Sequence, residues 1–224
     1  LTAGFLIAGP VSGWLSDRVG ARVLSTSGLI LFGASFLGLM ITPTNFHYLW
    51  FGGLVLLNGI GGGMFSAPNQ TAVMNSVPAE NRGSAGGIQA AFMNSGMVLS
   101  IGVFFSLMIV GLSNSLPKSL FIGLSQNGVS VSQAHAIANL PVVGSLFASF
   151  LGYNPLQSLL GSQSAAHVTS AEWANLTGKQ FFPHLISQPF HHGLLIVFGA
   201  ALFLSLSGAL LSALRGSRYV HESQ

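Results

Sequence analysis

The chain has no cysteine and very little charge: seven Lys or Arg and four Asp or Glu in 224 residues, 5 % in all. Without cysteine there is no disulfide framework and no thiolate metal site, so packing alone must hold the fold. The scarcity of charge excludes more. Half of the residues are hydrophobic and the mean hydropathy is +0.66, which leaves too little polar surface to clothe a water-soluble globule. A membrane protein is expected, with the lipid bilayer as its solvent and partner. The pI near 9.8 rests on a few scattered basic residues, too few for a nucleic-acid footprint. The four acids, Asp17, Glu80, Glu172 and Glu222, all fall in expected loops or the tail. No charge is expected in mid-membrane, and no cofactor or metal is implied.

What the chain has in excess is glycine, 29 residues, well above the usual share of about 7 %. Glycine lets spanning helices approach closely. The pairs spaced four apart, Gly9/Gly13, Gly59/Gly63 and Gly83/Gly87, together with Pro10, are expected to be packing positions. The run "GIGGG" at 59–63 is not a dinucleotide loop, because it lacks the third glycine in register and a preceding strand.

Measured against a span of about 20 apolar residues, the sequence predicts an all-α polytopic bundle of four complete spans and one incomplete one. Residues 1–12 are too short and read as the tail of a helix whose beginning is missing. Full spans are expected at 23–41, at 49–77 with a bend at Pro68, at 85–112 and at 190–214, followed by a basic tail at 215–224. Between them, 113–189 reads as a long extracytoplasmic loop, a partly ordered cap over the spans. In it "SVSQAHAIANL" offers a serine-capped short helix. The apolar run "VVGSLFASFL", held between Pro141 and Pro155, is too short to span, and both a buried and an interfacial helix remain open for it. Arg18 and Arg22, then Arg82, then Arg215 and Arg218 fall on one side if spans alternate. The positive-inside rule puts that side, and the C-terminus, in the cytoplasm. Trp14, Tyr48 and Trp50 lie near span ends, as aromatic belts do.

Charge concentrates in "GWLSDRVGAR", residues 13–22. A helix is expected to end near Gly13 and the next to begin near Val23, with a tight charged turn between in which Gly20 permits backbone angles that other residues resist. An aspartate there can accept hydrogen bonds from the free amides of a helix N-terminus and pair with an arginine. Two readings stand: a solvated loop whose arginines set topology, and a conformational latch.

The spacing of Gly13, Leu15, Asp17, Arg18, Gly20 and Arg22 resembles the cytoplasmic-loop signature of the major facilitator superfamily, Gly-x-Leu-x-Asp-Arg-x-Gly-x-Arg. With "GP" at 9–10 and "APNQTAVMNSVPAENRGSAGGIQAAFMNSG" behind it, the chain is similar to the C-terminal half of a fourteen-span drug-proton antiporter. That resemblance implies a secondary active transporter and not an enzyme. It implies alternating access, proton-coupled efflux of amphipathic small molecules, a place in the plasma (inner) membrane, and a missing N-terminal half as partner. It also implies that Asp17, Arg18 and Arg22, flanked by Gly13 and Gly20, form the latch that holds two bundles together on the inner side.

Polar side chains inside spans are costly against lipid and usually turn inward, so Asn58, Asn69, Gln70, Asn75, Gln89, Asn94 and Ser95 are candidates to line a substrate pathway. The competing reading is that they tie helices together by hydrogen bonds. "FMNSG" stands where the subfamily often has a basic residue and a glutamine. No span carries a carboxylate, so a coupling proton needs a titrating group in the missing half, or coupling is not by protons. His184, His191 and His192 lack an acidic or cysteine partner and read as interface histidines rather than a metal site. A non-transporting receptor or scaffold with the same fold is the alternative. A membrane-embedded enzyme would want convergent carboxylates or a nucleophile in the spans, which are absent.

Overall fold

A computed structural model describes residues 1–165 and 169–215. Among them there are nine α-helices and no strand: α1 (Thr2–Val19), α2 (Ala21–Met40), α3 (Tyr48–Asn75), α4 (Arg82–Gln126), α5 (Val131–Ala138), α6 (Val142–Phe150), α7 (Leu156–Ala165), α8 (Ser170–Thr177) and α9 (Phe181–Ala213), with a single 3₁₀ turn, Ala79–Asn81, before α4. Four of these, α2, α3, α4 and α9, are long and apolar enough to cross a membrane. The fold is an all-helical membrane bundle. Arg218 and Glu222, expected in a tail, lie outside the described residues.

Several expected boundaries move. The first helix does not stop near Gly13 but runs to Val19, and α2 begins at Ala21. The expected ten-residue turn is a one-residue break at Gly20, whose φ of 92° lies where side chains are strained. Nothing between Gly13 and Val19 competes with the helix: residues 14–19 include no glycine or proline. The helix α3 continues through Pro68, which is fully buried; spanning helices tolerate proline where neighbours satisfy the freed carbonyl. The fourth span extends well past 112, as α4 runs 45 residues through Pro117. The last begins at Phe181 rather than 190, through Pro189. Both ends of the expected 113–189 loop are therefore helix, and four short helices lie between.

The chain divides into two compact units. In residues 1–102 with 198–215, α3 packs against both α1 and α2, and the contacts are made by glycine. A Cβ on Gly4 would lie 2.5 Å from the Leu56 carbonyl oxygen; on Gly63, 2.8 Å from the Phe5 carbonyl oxygen and 2.9 Å from the Gly9 amide; on Gly59, against the Leu1 carbonyl. On the α2 side, a Cβ on Gly61 would lie 2.6 Å from the Phe32 amide, and one on Gly28 2.7 Å from the Phe65 amide. Backbones this close leave room for no side chain at all. Hydroxyls add interhelical bonds: Ser12 donates to the Gly63 carbonyl at 3.1 Å, Ser205 on α9 to the Leu29 carbonyl at 2.8 Å, and Thr26 to Ser212 at 2.9 Å. Gly83 and Gly87 behave differently, since a Cβ on either would meet nothing within 4 Å.

Residues 103–197 are packed by leucine. Leu112, Leu116, Leu120 and Leu124 form one stripe along α4, each no more than 2 % exposed, and join Leu146, Leu156, Leu176, Phe182 and Ile186 in a single core. Asn154 fastens the segment before α7, its Nδ2 donating to the carbonyls of Leu176 and Gly178 at 2.8 and 2.9 Å. Ser130 stands at the N-cap of α5 but makes no cap bond; its hydroxyl donates instead to Gln133 Oε1 at 3.1 Å. The cap forms at α8, where Thr169 and Glu172 make a reciprocal capping box.

Candidate functional site

Around the Gly20 break lies a cavity of about 420 Å³. Its walls come from the end of α1, with Asp17, the start of α2, with Arg22, the last turn of α3, with Thr71 and Asn75, and Arg215 just beyond α9. The break at Gly20 makes this possible. It ends one helix and starts another without a connecting loop, so the first amides of α2, which have no side-chain cap, lie beside the last turn of α1.

Each charged group here has an identifiable setting. Asp17, Arg18 and Arg22 are exposed. Arg18 leans over its own helix, its guanidinium carbon 4.5 Å from the centre of the Trp14 ring, a cation–π contact worth about 0.5–1 kcal/mol at exposed sites. Arg215 is half-buried; its Nη2 donates to Asn69 Oδ1 at 2.8 Å, while its buried Nη1 has no hydrogen-bond partner. Asp17 in the last turn of α1 and Arg22 in the first turn of α2 each oppose the dipole of their own helix, which costs about 0.3–1 kcal/mol apiece. Two charges placed against local preference mark a site where something other than helix stability decides the residue.

The cavity thus holds one carboxylate, two guanidinium groups, and amide and hydroxyl side chains. It offers electrostatic and hydrogen-bonding contacts that can be made and broken. It holds no nucleophile with a base, and among the described residues no group of His, Cys, Asp and Glu is arranged to hold a metal ion. A second cavity of about 390 Å³, lined by Gly4, Ile7, Val11, Leu24, Ile60 and Met64 among others, is almost wholly apolar.

The other sequence candidates do not gather at one place. Asn58 is buried and donates to Ser35 Oγ at 2.7 Å, while Ser35 donates to the Phe32 carbonyl at 2.6 Å; this is a tie between α3 and α2. Asn69 is engaged by Arg215. Gln70, Asn94 and Ser95 are exposed, and Gln89 is half-buried with its Oε1 buried and unpartnered. None of these last four lines the charged cavity. Gly13 supports the site from behind: a Cβ there would touch Ala67 of α3 at 3.8 Å, and its carbonyl accepts from the Ser16 hydroxyl at 2.6 Å. Pro10 is exposed on α1. Sequence reasoning assigned Arg215 to topology alone and missed its meeting with Asn69, because 146 residues separate them and no local pattern links the two.

Residues 1–111 match the family model described as Major Facilitator Superfamily. Over 142 residues the chain is 31 % identical to the methyl viologen resistance protein SmvA of Salmonella typhimurium, covering 62 % of this chain and 28 % of that protein. It is 33 % identical over 119 residues to the multidrug resistance protein Stp of Mycobacterium tuberculosis, covering 53 % of this chain and 22 % of Stp. Similarity to the riboflavin transporter RibZ of Clostridioides difficile is 29 % over 102 residues, 45 % of this chain and 22 % of RibZ. The chain therefore spans less than a third of the length of these curated relatives. No solved structure matches it.

Proposed function

We propose that the chain is the C-terminal half of a major facilitator transporter of the fourteen-span drug-proton antiporter kind, exporting amphipathic small molecules by alternating access. The match of residues 1–111 to the superfamily supports the class, and three similar proteins bear names of resistance or transport rather than of an enzyme activity. One observation carries the mechanism: the signature residues Asp17 and Arg22 line a single cavity with Arg215.

In this reading the cavity is the inner-side latch. Asp17 is exposed and positioned at a helix break, so it is free to exchange partners between the amides of α2, the local arginines and groups of the other half. Arg215 belongs to the same latch, held by Asn69 through one nitrogen while the other stays available. Rocking between inward- and outward-open states would break and remake these bonds. By the positive-inside rule the arginines around the cavity favour a reading in which this side, with the C-terminus, faces the cytoplasm of an inner membrane. Among the described residues no acid falls within α2, α3, α4 or α9, so in this reading the coupling proton would be carried by a group elsewhere in a longer protein.

The test is efflux of methyl viologen or ethidium by the longer protein in a drug-sensitive strain, with and without a protonophore. The expected result is net export that collapses when the proton gradient does. Export indifferent to the gradient would end the antiporter reading, and absence of export and of counterflow for a broad set of cations would end the transporter reading. In the same assay Asp17→Asn is expected to lower the rate several-fold while leaving the order of substrates unchanged. A variant with its rate intact and its substrate order altered would remove Asp17 from the latch.

A further inference from the structure

From residue 119 to residue 171 the sequence contains no Asp, Glu, Lys or Arg, whereas an ordinary soluble domain is about 25 % charged. This stretch includes all of α5, α6 and α7, elements of the segment expected to lie on the extracytoplasmic side as a cap over the spans. Its interior is satisfied by the leucine core. Its exterior is where the missing charge should be.

The helix α6 has two apolar faces. Leu146 is 1 % exposed and belongs to the core, while Val143 and Phe147, four apart on the outer face, are 38 % and 54 % exposed, and Leu151 just past the helix end is 80 % exposed. Phe147 lies against Phe105 of α4, ring centres 6.5 Å apart. On that part of α4, Val103, Phe105 and Val110 are also exposed, and α4 is one of the four helices fit to cross a membrane. The outer face of α6 therefore continues the apolar flank of a spanning helix. The ends of α6 are closed by backbone bonds, Gly144 N–H to the Pro141 carbonyl at 3.0 Å and Tyr153 N–H to the Ala148 carbonyl at 2.9 Å, as a helix in an apolar layer requires. At about 1.5 Å per residue it is far too short to cross about 30 Å of hydrocarbon.

We propose that α6 lies in the membrane interface beside α4, with Val143, Phe147 and Leu151 set among the lipid acyl chains. The partner is the apolar layer of the bilayer, not its headgroup charge, because α6 carries no cationic residue with which to bind anionic lipid. The inference rests on α4 crossing the membrane and does not depend on transport.

Because the chain has no cysteine, single cysteines can be labelled without removing others. Val143→Cys and Phe147→Cys, each carrying a nitroxide, are compared in phosphatidylcholine nanodiscs with Lys179→Cys, an exposed position of the same unit. The expected result is a several-fold higher ratio of oxygen to nickel-chelate accessibility at 143 and 147 than at 179, unchanged by high salt or by added anionic lipid. Nickel access at 143 and 147 equal to that at 179 would place α6 in water and overturn the proposal. Low access to both reagents would show a protein partner on that face and overturn it equally. Using two labelled positions guards against a local disturbance at either, and an efflux defect leaves the reading of the labels untouched.

Discussion

Where α1, α2 and α3 meet, most buried positions are small, Gly4, Ala8, Ser12, Gly28, Ser35, Gly59, Gly61 and Gly63 among them, with Leu24, Leu39 and Leu54 the buried leucines, and large side chains such as Ile30 and Leu37 are half exposed. Where α4 and α9 meet the short helices, the buried positions are leucine, isoleucine and phenylalanine. The same apolar vocabulary is used inside out. Lipid is as apolar as leucine, so helices surrounded by it gain little by burying leucine and much by bringing backbones together. A leucine core is favoured only where water is excluded by forming it. Residues 103–197 are therefore built as if water reached them, yet between 119 and 171 they lack the charges that water-facing surface carries. A position at the interface, with lipid on one side and water on another, accounts for both.

The contrast can be broken by changing volume in each unit. Leu124→Ala removes a side chain with no exposure and should lower stability by about 2–5 kcal/mol, read by thermal unfolding in detergent with Trp173, which packs on that core, as the reporter. Leu37→Ala in α2, starting from 51 % exposure, should stay within about 0.5 kcal/mol of the parent. Equal losses at the two positions would erase the distinction. Next in size is the reverse experiment. Gly61→Leu adds a side chain where a Cβ alone already lies 2.6 Å from the Phe32 amide, and overpacking of this kind costs about 1–3 kcal/mol or more. Gly87→Leu, facing open space, should leave the monodisperse yield of the purified protein unchanged.

These pairs also show what could be read in advance. The apolar runs gave all four spanning helices, because length and hydropathy are local properties. The glycine pairs looked alike in sequence, but only in Gly59/Gly63 of α3 would a Cβ on both members meet a facing backbone, whereas one on Gly9 would meet nothing within 4 Å and one on Gly13 only the Ala67 side chain; a spacing of four marks one helix face without saying what stands opposite. The signature at 13–22 predicted a charged junction. Its form, helix up to Val19 and a single break at Gly20, was hidden because a polar segment flanked by spans looks like a loop whether or not its backbone is helical. The 113–189 region was the least legible. Its helix ends are too polar or proline-marked for a span ruler, and its core is assembled from residues as distant as Leu112 and Ile186.

A smaller effect separates tie from pathway. Asn58→Leu removes the bond to Ser35, and interhelical hydrogen bonds in membranes are worth roughly 0.6–2 kcal/mol. Stability should fall by about that much, with the order of transported compounds unchanged. A shift in substrate preference with stability intact would return Asn58 to the substrate pathway.

The smallest predicted effect tests which side of the second unit meets water. The helices α1, α2 and α3 have no side-chain cap at their N-termini, whereas α8 is closed by Thr169 and Glu172. Glu172 Oε2 accepts from the Thr169 hydroxyl at 2.6 Å and from the Thr169 amide at 2.9 Å, and these bonds hold its pKa below the ordinary value of 4.5. A carboxylate with a depressed pKa contributes stability that is complete above its unfolded pKa and is lost as pH falls through the folded one. The protection of the amides in the first turn of α8, taken as the exchange rate of an unstructured amide at the same pH relative to the observed one, should therefore be constant at neutral pH and fall as the medium is acidified below about pH 5. Thr169→Ala should make exchange faster at neutral pH and remove most of the acid dependence. If the acid step survived Thr169→Ala unchanged, another group would be responsible for it. If Glu172 titrated above the ordinary carboxylate range, desolvation would outweigh its hydrogen bonds, and the N-terminus of α8 would have to be placed in lipid with α6 rather than on the wet side of the unit.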